Sequence, residues 1–266
     1  GVDGFRCDMA EMGPTAFWSY ATQILKSRYP EIIVIGEVYD PSQYRNYVKA
    51  GFDYLYDKVG MYDCLRGVIR GKRPASSITH EWQEVDDIRD HMLYFLENHD
   101  EQRIASDFFC GDAMKAIPAA AMSLFFQKNP FMLYSGQEFG ERGMDKEGFS
   151  GVDGRTTIFD YWSPVALAQA YQHALPKTVN KTGAGRQTDG LTPEQKYLAA
   201  TYRQMLRLAN EEKAIREGDT FDLMYVNPGS DHFDPRTNFA FLRKKEEEVL
   251  LVVLNFSIDA RELARK

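Results

Sequence analysis

Short runs rich in β-branched and aromatic residues alternate with helical patterns along residues 1–210, and an acidic group closes several of the runs. This alternation constrains the fold more than any other feature, because strands separated by helices pair in parallel and must have both faces of their sheet covered. Behind Pro14, the spacing of Phe17, Ala21, Ile24 and Leu25 predicts a first helix, stopped at Tyr29-Pro30. Residues 31–35, 52–56, 91–96 and 131–134 read as strands. They are closed respectively by Gly36-Glu37, Asp57, Glu97-Asn98-His99-Asp100 and Ser135-Gly136-Gln137-Glu138. Residues 76–90 read as a solvated helix or helical loop, and residues 114–127 as an alanine-rich helix with Pro118 in its first turn. Behind Thr192-Pro193, Leu198, Tyr202, Met205 and Leu208 mark one face of a long helix.

Beyond residue 216 the pattern changes. Residues 220–226, 238–243 and 249–255 read as antiparallel strands with no helix between them. The alternation reads as a parallel sheet of βα units, α/β in class, over residues 1–216, followed by a truncated all-β domain over residues 217–266; a family resemblance carried by the motifs below implies that the first part is a partial (β/α)8 TIM barrel, about strands 4 to 8. Two Gly-rich stretches, 140–154 and 181–190, are long for βα connections, and loops of that length in barrels carry function.

Composition removes several alternatives. With 44% hydrophobic and 13% aromatic residues in 266, the chain has ample material for a core. Its net charge of -7 is spread without a Lys/Arg stripe, which argues against a nucleic-acid partner. The longest apolar runs, 116–126 and 249–256, fall short of the ~20 residues of a membrane-spanning helix. Cys7, Cys64 and Cys110 are too scattered for a disulfide framework, and no Cys-x-x-Cys or His-x-x-x-His spacing points to a metal. Gly1 reads as part of a strand, so neither a leader nor a compartment is legible.

Asp8, Glu37 and Asp100 each follow a candidate strand end, and in a parallel barrel all such ends open on one face. Crowded carboxylates push one another's pKa values apart, which gives the division between proton donor and nucleophile that glycosidic cleavage requires. Arg6, two residues before Asp8 on the same strand face, is placed to keep Asp8 ionised, and His99 offers a donor to a sugar hydroxyl. Asp57 reads as a helix cap, and Tyr54, Tyr56, Tyr161 and Trp162 as packing residues or platforms for sugar faces.

The segments Gly4-Phe5-Arg6-Cys7-Asp8, Gly36-Glu37 and Phe95-Leu96-Glu97-Asn98-His99-Asp100 resemble the fourth-, fifth- and seventh-strand motifs of the α-amylase family of retaining glycoside hydrolases. Pro130-Phe131-Met132-Leu133-Tyr134-Ser135-Gly136-Gln137-Glu138 is similar to its eighth-strand segment. The resemblance implies Asp8 as nucleophile, Glu37 as general acid/base and Asp100 as stabiliser of the transition state. It implies substrate contacts from Arg6, His99, Glu11, Asp153 and Arg155, with α-glucans or maltooligosaccharides as ligands. Where many members carry Lys-His after the nucleophile, this chain has Glu11 and Met12, closer to neopullulanase-like and bacterial maltodextrin-degrading types. No cofactor is required by this chemistry; the resemblance allows Ca2+ in the complete parent enzyme. It also places the first three strands and an Asp-x-x-x-Asn-His motif upstream of residue 1, so the isolated chain is expected to be inactive and to self-associate through open barrel edges. Two other readings stand beside hydrolysis: a transglycosylase or isomerase with the same residues, and an inactive barrel used for binding.

Overall fold

Five strands, β1 (Gly4–Cys7), β2 (Ile33–Gly36), β3 (Tyr54–Tyr56), β4 (Met92–Phe95) and β5 (Phe131–Met132), pair in parallel in chain order. A second sheet, β6 (Asp219–Asp222), β7 (Asn238–Lys245) and β8 (Glu248–Asn255), is antiparallel. The fold is thus a partial (β/α)8 barrel with a small antiparallel sheet. The computed structural model describes residues 1–144, 148–174, 190–226, 229 and 231–257; most of the second Gly-rich stretch, residues 181–189, lies outside them. The chain divides into two compact units, one of residues 1–95, 121–132 and 212–266, the other of residues 96–120 and 133–211.

All the described strands belong to the first unit. Helix α1 (Thr15–Arg28) begins behind the extended Pro14 and carries Lys26 and Arg28 in its last turn, where cations suit the helix dipole. Its buried Thr22 donates to the Ala50 carbonyl at 2.6 Å. That close approach requires Gly51, whose φ is 103° and where a Cβ would lie 2.4 Å from Thr22 Oγ1.

Connections that the sequence pattern left blank contain α2 (Tyr44–Lys49), a π-helical turn at Lys58–Tyr62 and α3 (Asp63–Ile69), and residues 76–90 hold α4 (Ser77–Glu84). Tyr56, Tyr62, Leu93 and Phe95 form a core cluster, with the Tyr62 and Phe95 rings stacked 4.8 Å apart. Tyr56 is therefore a packing residue.

The antiparallel sheet is fastened within this same unit by Arg243. Fully buried, its guanidinium donates to the carbonyls of Phe126, Ala214, Ile215 and Gly218 and to Thr220 Oγ1. Burial pulls its pKa down to about 10, so it stays charged at neutral pH.

Asp57 caps the π-helical turn, as expected of a cap, accepting from the Met61 N–H at 2.9 Å. It is 1% exposed and its Oδ2 has no hydrogen-bond partner, so burial pushes its pKa from 3.8 up to about 7. Between those values the unfolded chain has released a proton that the folded chain still holds, so this group's contribution to stability is full below pH 4 and declines as pH rises to 7. The decline is expected to amount to about 4 kcal/mol at most. Urea unfolding at pH 4, 5, 6 and 7 checks it: Asp57→Asn, which keeps the cap, should gain on the wild type across the range. Parallel pH profiles for the two proteins would refute the assignment.

In the second unit, α6 (Val165–Ala174) and α7 (Pro193–Glu211) are the long helices. Of the face predicted for α7, Leu198, Tyr202 and Met205 are buried, whereas Leu208 near its end is exposed. The helix predicted over residues 114–127 divides into a 3-10 turn (Ala113–Ala116) and α5 (Ile117–Phe125), with Pro118 in its first turn.

Candidate active site

The ladder between β1 and β2 ends with the Glu37 N–H donating to the Cys7 carbonyl at 3.1 Å, so Asp8 and Glu37 leave neighbouring strands at the same level. One guanidinium joins them. Arg6 Nη1 donates to Asp8 Oδ1, while Nη2 lies 3.0 Å from Glu37 Oε1 in an ion pair. Burial works against the charge on Arg6, but hydrogen bonds to Tyr56 and Asp8 and the charge of Glu37 outweigh it and raise its pKa. A permanent cation between the carboxylates removes much of the repulsion their proximity would otherwise create.

The two acids differ sharply in surroundings. The Asp8 side chain is 74% exposed, whereas that of Glu37 is 3% exposed and held on both oxygens. Tyr39 Oη donates to Glu37 Oε1 at 2.9 Å, and the Met9 N–H donates to Oε2 at 2.8 Å. Met9, which supplies this amide, has a left-handed backbone, φ 43° and ψ 44°. Beside them, burial raises the pKa of the half-buried Cys7 thiol against the lowering influence of Arg6.

Glu11, read from the sequence as a substrate contact, accepts with Oε2 from the N–H groups of Tyr39 at 2.9 Å and Asp40 at 3.1 Å. This use of Glu11 was not legible in the sequence, since its contacts lie 28 and 29 residues away, whereas Tyr39 stands only two residues beyond Glu37 and its position was the signal that could have found it.

The remaining residues of interest lie in the second unit. Asn98, buried, accepts with Oδ1 from the N–H groups of Asp100 and Glu101, each at 2.8 Å, an Asx turn that presents His99 and Asp100. His99 Nε2 is 3.2 Å from Asp100 Oδ2, and both side chains are partly exposed. Under this turn, Glu97 accepts from Arg103 Nη1 and from the Ile104 N–H, both at 2.7 Å. Arg103 also donates to the Ser135 carbonyl and Thr156 Oγ1 and lies 4.3 Å from the Tyr134 ring centroid. Burial raises the pKa of Glu97 and the Arg103 charge opposes it.

Asp153 and Arg155 pair with each other, Nε to Oδ2 at 2.7 Å, at the close of the first Gly-rich stretch. Gly154 between them passes so close to Ser106 that a Cβ would sit 2.0 Å from its Oγ. Asp160 accepts from Thr157 and the Phe149 N–H. Tyr161 and Trp162 are 82% and 62% exposed. Among the described residues no group of three or more His, Cys, Asp or Glu side chains is placed to hold a metal ion. No described helix is long and apolar enough to cross a membrane.

A parallel sheet in barrel order, with a guanidinium-linked pair of carboxylates at the carboxyl ends of its first two strands, defines an α/β barrel with an acidic centre. The family model for the alpha amylase catalytic domain matches residues 1–218, and the chain belongs to that family. It is 32% identical over 188 residues to alpha-amylase MalA of Haloarcula japonica, covering 65% of this chain and 26% of that protein. It is 25% identical over 266 residues to alpha-amylase 2 of Dictyoglomus thermophilum, covering 96% of this chain and 39% of that protein. Among solved structures, the alpha-amylase from H. orenii superposes with a TM-score of 0.66 at 23% identity, over 96% of this chain and 51% of its own. The Geobacillus thermoleovorans alpha-amylase, complexed with acarbose, gives 0.66 at 19% identity, over 96% and 49%. The chain thus spans between a quarter and a half of the length of these relatives.

Proposed function

We propose that the natural protein is a retaining glycoside hydrolase acting on α-glucosidic linkages of starch, maltodextrins or related α-glucans. The observation that carries this reading is the Arg6 bridge between an exposed Asp8 and a buried, firmly held Glu37. Asp8 has the exposure a nucleophile needs to reach an anomeric carbon, and Arg6 donates a hydrogen bond to its carboxylate. Glu37 donates its proton to the glycosidic oxygen as the C–O bond breaks and the Asp8 carboxylate bonds to C1. Water then loses a proton to Glu37 as it attacks C1, releasing Asp8 and the sugar with its original anomeric configuration. His99 and Asp100 hold ring hydroxyls; this assignment rests on their motif and on the Asx turn that presents them. The named relatives, all alpha-amylases, support the substrate class.

The test is stereochemical. Proton NMR of freshly cleaved maltooligosaccharide should show the α-anomer first, followed by mutarotation; initial release of the β-anomer would rule out the nucleophilic role of Asp8. Hydrolysis by the 266-residue chain alone is expected to be at background level, because its five-stranded parallel sheet ends at β1 and β5 without closing on itself.

A further inference from the structure

We infer that Tyr39 is a positioning residue for Glu37, and that Glu11 holds Tyr39 in place to do so. The inference rests on the reading of Glu37 as acid/base and extends it to two side chains outside the three family motifs.

Three groups fix the Glu37 carboxyl: Arg6 and Tyr39 Oη on Oε1, and the Met9 N–H on Oε2. A guanidinium and a backbone amide can only donate hydrogen bonds. Arg6 meets Glu37 as an ion pair and the Met9 amide can only donate, so neither can accept a hydrogen bond from the carboxyl. The phenol of Tyr39 can do either. It donates to Oε1 when Glu37 is ionised, and by rotating its O–H it can accept when Glu37 carries the proton. Of the three groups, it alone can change from donor to acceptor as Glu37 gives up and regains its proton.

That role demands that the Tyr39 oxygen stay within hydrogen-bond reach, although Tyr39 lies in the connection after β2 and is only partly buried. Glu11 supplies the anchor. Its Oε2 gathers the N–H groups of both Tyr39 and Asp40, pinning the backbone at the point where the phenol projects. Glu11 itself sits in the 3-10 turn Ala10–Met12, two residues beyond Met9, so the turn that follows Asp8 also fixes the phenol facing Glu37. Lys58 Nζ, 6.0 Å from the Tyr39 ring centroid, adds a cation–π contact.

The experiment compares kcat/KM for two substrates of the natural protein: α-maltosyl fluoride, whose leaving group departs without a proton, and an aryl α-maltoside of a weakly acidic phenol, which needs one. Glu37→Gln should lose about 100-fold or more on the aryl maltoside and far less on the fluoride. Tyr39→Phe should lose about fivefold to tenfold on the aryl maltoside with less than about a twofold change on the fluoride. Glu11→Gln should show the same selectivity with a smaller loss, and near-UV circular dichroism should match the wild type for both. Equal losses on the two substrates, or none on either, would overturn the inference, because a packing role has no reason to distinguish leaving groups. If Glu37→Gln itself fails to discriminate, the acid/base reading falls, and this inference with it.

Discussion

Glu37→Gln in the natural protein is expected to lower kcat on maltooligosaccharides by about 1,000-fold, and Asp8→Asn by at least as much. The amide at position 37 fits the same space but has no proton to give to the departing oxygen and cannot take one from water. At position 8 an amide is a poor nucleophile, and Arg6 would then pair with Glu37 alone, which holds it at 3.0 Å already. Because the two side chains act in one reaction, the double variant should be little worse than the worse single one. Release of reducing ends, followed at saturating substrate, measures all three. Turnover within tenfold of the wild type in either single variant would remove that residue from the chemistry.

The second large effect is on stability. Arg103 and Glu97 side chains are each 1% exposed, and the pair supports the turn bearing His99 and Asp100. Arg103→Met leaves the Glu97 carboxylate buried without its cation and strips the Ser135 carbonyl and Thr156 Oγ1 of their donor. A loss of about 3 to 5 kcal/mol is expected. Glu97→Met should cost a similar amount by orphaning the guanidinium, whereas the double replacement should recover much of the loss, because no uncompensated charge remains. Denaturant unfolding of the four proteins decides it; losses that simply add in the double variant would show that the pair is not coupled.

Much of this was legible in the sequence where periodicity is long or chemistry local. The helix behind Pro14 and the one behind Thr192-Pro193 have regular apolar spacing, and each acidic motif sits beside its own strand. Helices α2 and α3, six and seven residues long, offer hardly two turns in which a period can register. In α3, Cys64, Leu65, Val68 and Ile69 are all buried and Gly67 interrupts them, so no polar face contrasts with an apolar one. Strand β5 has two residues where four were expected. At the site, motif order delivered Asp8, Glu37 and Arg6, since strand pairing alone makes them neighbours. The use of Glu11 follows from a loop path that no residue-by-residue pattern encodes.

The left-handed backbone at Met9 has a meaning for sequence variation. A non-glycine residue in that conformation costs ~1 to 2 kcal/mol, and a β-branched one more. The amide it directs at Glu37 is supplied by the main chain, so any residue that tolerates the geometry can supply it. Position 9 is therefore filtered by backbone rather than by side chain. Among functional descendants of this sequence, glycine, asparagine and unbranched residues can interchange there, while valine, isoleucine and threonine are excluded, even though the position would look variable, and so unimportant, to a reader scoring side-chain identity alone.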